Sequence, residues 1–346
     1  MRVKYDQLIK FTEGILSKCG LDEFSLNAVT TGLCETSLRG VDSHGIRLLP
    51  HYAESAINGR KNPCPNYSLN MTFPSFGHLN ADDAFGHAAG IKAIDIAMEA
   101  AEIQGICAIA VSNSSHPGAM ASMALRAARK GFIAFAFTHA DALTLSYNGT
   151  RPYFGTNPIC FAAPRLEKEP YCLDMATSII PWNRIKMHRE DDLELPNDIA
   201  ADQFGNLTTN PHSATCLLPT GEYKGYGLAS MVDVLCGVMT GMAFGRTIPA
   251  MFQEPMDKPR QLGQFYLVMR VDAVVTEENF KKIMQEMTDQ VRAEPSKLSE
   301  EVMLPGDKES RKALERLKNG IPLDSFTEKS LSSLAEKFGI GGLADD

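Results

Sequence analysis

The chain has 346 residues, of which 44% are hydrophobic and 22% charged, enough apolar material for a large core and too much for a disordered polymer. Asp and Glu number 42 against 34 Lys and Arg, so the net charge is −8, and no basic cluster interrupts that balance. Nucleic acid, which needs a basic face against its phosphates, is not an expected partner.

Residues 5–60 read as helices, with apolar positions three and four apart at Leu8, Ile9, Phe11 and Ile15, then at Val29, Leu33 and Leu38. The segment 61–74, with Pro63, Pro65 and Pro74, reads as a loop or connector. An Ala- and Ile-rich helix is expected over 87–104. The runs ICAIAVSNS and FIAFAFTHA follow as buried strands with polar ends, separated by an Ala-rich helix over 118–130. ICFAAP and YCLDMAT add two more strand candidates, and residues 185–220 are polar and loop-rich.

Residues 226–244 are apolar and about long enough to span a membrane, but they contain Asp233 and three glycines. A buried core helix is the expectation, with no membrane partner. A strand over 264–270 and helices over 277–292, 307–319 and 328–338 complete the chain. The pattern is α/β (mixed α+β) with helical arms. Three parts are expected: a helical segment 1–75, a mixed-sheet region 76–225, and a segment 226–346 whose C-terminal helices pack back on the first. The eight cysteines are scattered, without CxxC or metal-type spacing, and the N-terminus lacks the apolar core of a signal peptide. A cytoplasmic protein is expected.

The dinucleotide fingerprint has one near match, Gly339-Ile-Gly341-Gly-Leu-Ala344. It sits at the extreme C-terminus with no helix after it, where it cannot seat a pyrophosphate. Chemistry is better sought where polar residues interrupt apolar segments. Ser43-His44-Gly45 lies at a helix break, and Ser115-His116-Pro117-Gly118 lies where a buried strand gives way to a helix. Strand ends of this kind are favoured places for catalytic groups, and imidazole exchanges protons near neutral pH. Either histidine alone reads more readily as a hydrogen-bonded structural residue, and two such loops together shift that balance only modestly.

Arg47, just after the first of these loops, has the planar fork that holds a carboxylate, or is a solvated surface arginine. Gly155-Thr-Asn157-Pro158 and Lys224-Gly225-Tyr226-Gly227 read either as places of close ligand approach or as tight turns. The other six histidines show no ligand spacing, so no metal is expected.

Six segments in order, RGVDSHGIRLLPHY, VSNSSHPGA, YFGTNPICFAAP, LDMATS, LPTGEYKGYGLASMVDVLCGVMTGMAFG and MLPGD, resemble the type 2 malate/L-lactate dehydrogenase family over essentially the whole chain. Trp182, the FGR at 244–246 and the LGQ at 262–264 look most like its ureidoglycolate dehydrogenase members. The resemblance implies a non-Rossmann NAD(P)-binding mixed sheet and a cytoplasmic homodimer. It also implies hydride transfer between NAD or NADP, with NAD favoured, and a small 2-hydroxy or 2-oxo acid such as malate, lactate or ureidoglycolate.

By the same resemblance His116 and His44 handle the proton, and Arg47 and Tyr52 contact the substrate. Ala140, Asp174, Met175, Ala176, Lys224, Gly306, Asp307 and Lys308 line the cofactor. Two departures stand out. The family commonly carries its carboxylate-binding arginine one position later, where this chain has Leu48, and Ala140 replaces a residue that often bears a polar side chain. The alternatives are a reductase of a keto-sugar acid or cyclic imine, or a non-catalytic binding homologue.

Overall fold

The computed structural model describes residues 1–166, 169–297 and 300–343. In chain order the first elements are β1 (Arg2–Val3), α1 (Tyr5–Lys18), α2 (Glu23–Leu38), α3 (Leu49–Ile57), β2 (Ser68–Phe73), β3 (Phe76–Asn80) and α4 (Gly86–Gln104). β4 (Ile106–Ser114), α5 (Ala121–Ala128), β5 (Phe132–Thr138), β6 (Thr144–Leu145), β7 (Pro152–Phe154), β8 (Ile159–Ala163) and β9 (Tyr171–Met175) follow. Then come α6 (Trp182–Glu190), β10 (Ala200–Ala201), β11 (Cys216–Leu217), α7 (Tyr223–Asp233) and β12 (Leu262–Arg270). The chain closes with α8 (Glu277–Arg292), α9 (Asp307–Asn319), β13 (Ile321–Pro322) and α10 (Ser325–Phe338).

Local chemistry sets the helix ends. Asp22 caps α2 by accepting the Ser25 N–H at 2.6 Å, and Asp324 caps α10 by accepting that of Thr327 at 2.7 Å. Gly339, the first glycine of the C-terminal near-fingerprint, ends α10 in the left-handed conformation at φ 62°. Ala344 of that motif lies outside the described residues.

The main sheet has seven strands in the order β2-β3-β4-β12-β5-β8-β9. Only the β3–β4 pair is parallel, so the sheet is mixed. Its centre is β12, which returns late in the sequence and runs antiparallel between β4 and β5. Helices α4 and α5 cover one face through Ala93, Ile94, Met123 and Ala124 against Ile109, Val111, Ala136 and Val268. On the other face α7 and its continuing π turn (Val234–Val238) bury Val232 and Cys236 against Ala108, Ala110, Phe137 and Phe265. A separate core joins Leu8, Ile15, Leu33 and Leu49 to Ile321, Leu331 and Leu334, so α10 packs on the first helices. Burying each such aliphatic side chain contributes about 1.5–3 kcal/mol before chain entropy is set against it.

The structure corrects the sequence reading in three places. Within 61–74, expected as a loop, β2 pairs with β3 at the edge of the sheet. Most of its side chains face solvent, so no alternation of burial marked it. The polar stretch 185–220 contains most of α6, whose one buried residue is Ile185. The helix expected to be fully buried after Tyr226 is buried on one side only. Met231, Val234, Val238 and Met239 remain 40–59% exposed along it. Among the described residues no helix is long and apolar enough to cross a membrane.

Candidate active site

The two histidine loops come from separate segments, 43–45 and 115–118, and converge. At the first, Arg316 of α9 pairs with Asp42 at 2.5 Å. Ser37 accepts the Ile46 N–H at 2.8 Å. Gly45 fits because a Cβ there would lie 2.1 Å from Ser37 Oγ. His44 Nδ1 is 2.8 Å from Ser43 Oγ, and Asn183 of α6 donates to the Ser43 carbonyl at 2.7 Å.

At the second loop, the buried Gln264 amide of β12 donates to Ser114 Oγ at 2.9 Å and to the carbonyls of Gly86 and Ser115, both at 3.2 Å. Its oxygen accepts the Tyr266 hydroxyl at 2.7 Å. A strand that arrives 150 residues after β4 thus fixes the turn that presents His116.

The imidazoles of His44 and His116 stack with centroids 5.7 Å apart. Tyr52, fully buried in α3, places its hydroxyl 2.8 Å from His116 Nδ1 and 3.1 Å from the His116 carbonyl oxygen. The Gly118 N–H also reaches Nδ1, at 3.3 Å, so Nδ1 is the held nitrogen of the ring. These contacts fix the orientation of the imidazole. Burial pushes His44 down to about 4. Enclosure, reinforced by His44, Arg260, Lys61 and His87, holds His116 well below the usual histidine range. Both rings are neutral at neutral pH.

Two cavities meet at this pair, sharing His44, Thr156 and Pro181. The first, about 430 Å³, runs between α2, the start of α5 and β9, and its wall carries Glu35, Asp174 and Glu309 against the single cation Arg39. The second, about 660 Å³, carries Arg151, Lys186, Arg189, Arg246 and Arg260 against the single carboxylate Asp141. Among the described residues Arg260 alone of the five has a carboxylate partner, Asp141 at 2.5 Å. Carbonyls or rings hold three others: Arg189 by Pro211 and Ala214, Arg246 by Pro152, and Lys186 over Phe252 at 3.3 Å.

The residues expected at the site are distributed unevenly. His116 and Ala140 line the second cavity, Asp174, Ala176 and Gly306 the first, and His44 both. Asp174 accepts the Ala121 N–H at 2.8 Å at the start of α5. Tyr52 lies beneath His116, where its hydroxyl is occupied by that residue. Arg47 turns away from both cavities to pair with Glu190 at 2.9 Å and Asp324 at 3.1 Å, its guanidinium 4.5 Å over Phe326. Leu48 faces the second cavity instead.

Asp307 is buried between Arg165 at 3.0 Å and Arg292 at 2.7 Å, and these pairings bring its carboxyl down to about 2 against the opposing effect of burial. It ties the start of α9 to the body of the protein. Lys224 and Lys308 are exposed, and neither they nor Met175 line these cavities. Asn157 of the GTNP turn is structural. It accepts the Ala140 N–H at 3.0 Å and donates to Ala229 and Asp233 of α7. Among the described residues no group of three or more His, Cys, Asp or Glu could hold a metal ion.

Arg260 and Lys186 were not singled out by sequence. Arg260 comes from an irregular segment 119 residues from its partner Asp141, and Lys186 from a helix without apolar periodicity. No local pattern marks either of them.

The sequence matches the family model described as malate/L-lactate dehydrogenase over residues 3–332. The malate dehydrogenase of Pyrococcus abyssi is 32% identical, covering 99% of this chain and 96% of its own length. The ureidoglycolate dehydrogenase (NAD(+)) of Escherichia coli K12 is 31% identical over 93% of each chain. Among solved structures, malate dehydrogenase from Entamoeba histolytica superposes with a TM-score of 0.93 at 25% identity, covering 99% of both chains.

Proposed function

The chain belongs to the malate/L-lactate dehydrogenase family, and from that membership we propose a nicotinamide-dependent dehydrogenase whose 2-hydroxy or 2-oxo acid carries a second acidic group. The observation that carries this reading is the excess of cations in the cavity beside His44 and His116, within a protein of net charge −8. A lone carboxylate would leave most of those charges unmatched, whereas a malate-like dianion engages both ends of the cluster.

The first cavity fits a cofactor: it is elongated, lined by Ser43, Asp174, Ala176 and Gly306, and opens on the histidine pair. Those residues, with Ala140, would hold the dinucleotide. When bound, the nicotinamide accepts or gives the hydride. Glu35 is matched by Arg129, and the other two wall carboxylates, Asp174 and Glu309, disfavour an added 2′-phosphate, which supports NAD over NADP, as does the name of the Escherichia coli relative.

In oxidation, His116 Nε2 accepts the proton of the substrate hydroxyl, and in reduction it returns one. The Tyr52 hydroxyl and the Gly118 N–H hold Nδ1 and thereby aim the ring. His44, stacked beside it, donates to or polarises the oxygen at the reacting carbon. Lys186, without a carboxylate partner among the described residues, takes the substrate carboxylate with Arg260 beside it, whereas Arg47 lies outside the cavity against Glu190 and Asp324. Arg151, Arg189 and Arg246 receive the second acidic group.

The exposed apolar side of α7 supports a homodimer, and seven buried free cysteines out of eight support a cytoplasmic, reducing location. Light scattering at micromolar concentration tests the first: a monomer there removes it.

A panel of lactate, malate, ureidoglycolate, a keto-sugar acid and a cyclic imine, followed at the reduced-nicotinamide absorbance band, tests the reading. Malate should exceed lactate in kcat/KM by about tenfold or more, the worth of one matched charge-assisted pair. Preference for lactate or for the imine overturns the dianion assignment. No turnover with any of them, with ligands still raising Tm, favours a non-catalytic binding protein.

A further inference from the structure

A third cavity, of about 440 Å³, opens on the far side of the catalytic turn between α2, α4 and α5. Its floor is His87, which is 1% exposed and has a hydrogen-bond partner at neither ring nitrogen. An imidazole so buried normally satisfies at least one of them. The ring is pressed between two bare backbones: a Cβ on Gly32 would lie 2.1 Å from His87 Cδ2, and one on Gly118 would lie 2.5 Å from His87 Nε2. Gly118 is the residue whose N–H reaches His116 Nδ1 at 3.3 Å, and the His87 ring also meets Tyr52 at 5.6 Å. His87 therefore touches both groups that aim the catalytic imidazole.

The walls define what the cavity accepts. Phe24, Ala28, Ile91 and Met123 make an apolar strip. At the rim, Arg126 is matched by Asp95 at 2.6 Å and Arg129 by Glu35 at 2.6 Å, whereas Lys130 has no carboxylate partner among the described residues. One uncompensated positive charge calls for one negative charge. An apolar strip calls for an apolar body, and an unsatisfied neutral imidazole calls for a hydrogen bond from the inner end of the occupant.

We propose that this cavity is a second ligand site, which takes a small monocarboxylate with an aromatic or branched body and a hydroxyl at its far end, and acts on turnover through His87. The site is separate from the catalytic cavities, with Glu35 and Ser122 forming the partition from the cofactor cleft. A ligand that engages His87 shifts its packing on Gly118 and Tyr52, and so the aim of His116.

The test uses 4-hydroxybenzoate as probe, titrated calorimetrically into the whole protein saturated with reduced NAD and oxamate. Saturable binding of one 4-hydroxybenzoate per chain under those conditions is expected. Thr31→Trp, which fills the mouth from an exposed position, should abolish it, and Lys130→Glu should weaken it about tenfold. Both variants should keep the kcat of the parent when the probe is absent, and the probe should change kcat in the parent alone. Displacement of 4-hydroxybenzoate by oxamate or the cofactor, absence of saturable binding, or equal binding by both variants overturns the proposal. Because the titration needs no turnover, its outcome is separate from that of the substrate panel.

Discussion

The two cavities that meet at His44 and His116 are opposite in charge. The cofactor side sets three carboxylates against one arginine, and the substrate side sets five cations against one carboxylate. On the reading proposed above, surplus charge rather than a glycine signature sorts the two anionic ligands, with an acidic cleft that penalises an additional phosphate and a cationic cavity that takes acids. The imidazoles sit on the boundary, where the walls and nearby cations keep them neutral.

The sharpest way to break this picture is to remove the boundary residue. His116→Ala should lower kcat by about 10³-fold with little change in the dissociation constant for NADH, as expected for loss of a general acid–base group. Comparable losses in both would place the residue in cofactor binding instead. On the cationic side, Lys186→Ala should raise KM for malate about 20-fold and alter kcat much less. An unchanged KM would move the carboxylate elsewhere. On the acidic side, Glu309→Lys should shift the NADP-to-NAD preference about tenfold toward NADP. A shift only in malate KM would contradict the division of labour. Arg47→Ala should be the mildest, costing about 1 kcal/mol of stability with steady-state kinetics intact, because its partners Glu190 and Asp324 are partly exposed, at 39% and 47%.

Acid sharpens the same contrast. His44 titrates near 4 in the folded protein and near 6.5 when unfolded, so between those values the unfolded chain binds the extra proton. Stability therefore rises with pH through that window, and is lost as the pH falls from 6.5 toward 4. Thermal melts across the range should show Tm falling on the acid side; a flat Tm would mean that the ring is solvated. For His116, kcat/KM for oxidation should stay level down to about pH 5.5, below the point at which an ordinary histidine base would be half protonated.

Much of the scaffold was legible because burial leaves a periodic trace. The runs around β4, β5 and β12 are apolar and bounded by polar residues, and α8 and α9 have the bounds read from the sequence. Elements without a buried face left no trace: β2 at the sheet edge, and α6 with one buried residue. At the site, the two histidine loops were visible because polar residues interrupt apolar runs. Arg47 was singled out by its place beside His44, but direction in a short helical turn decides contact. Leu48 took the inward position while Arg47 found two carboxylates outside. Asp307, placed at the cofactor by the resemblance, pairs with Arg165 and Arg292 instead. The cations of the substrate cavity come from segments far apart in sequence, whose meeting only the folded chain displays.

The most direct measurement is the reduced-nicotinamide signal with NAD and malate, recorded in parallel for the parent protein and for His116→Ala. Hydride transfer in the parent, with turnover but not NADH binding collapsing in the variant, is the predicted result. Undiminished turnover without this imidazole would contradict the account at its centre.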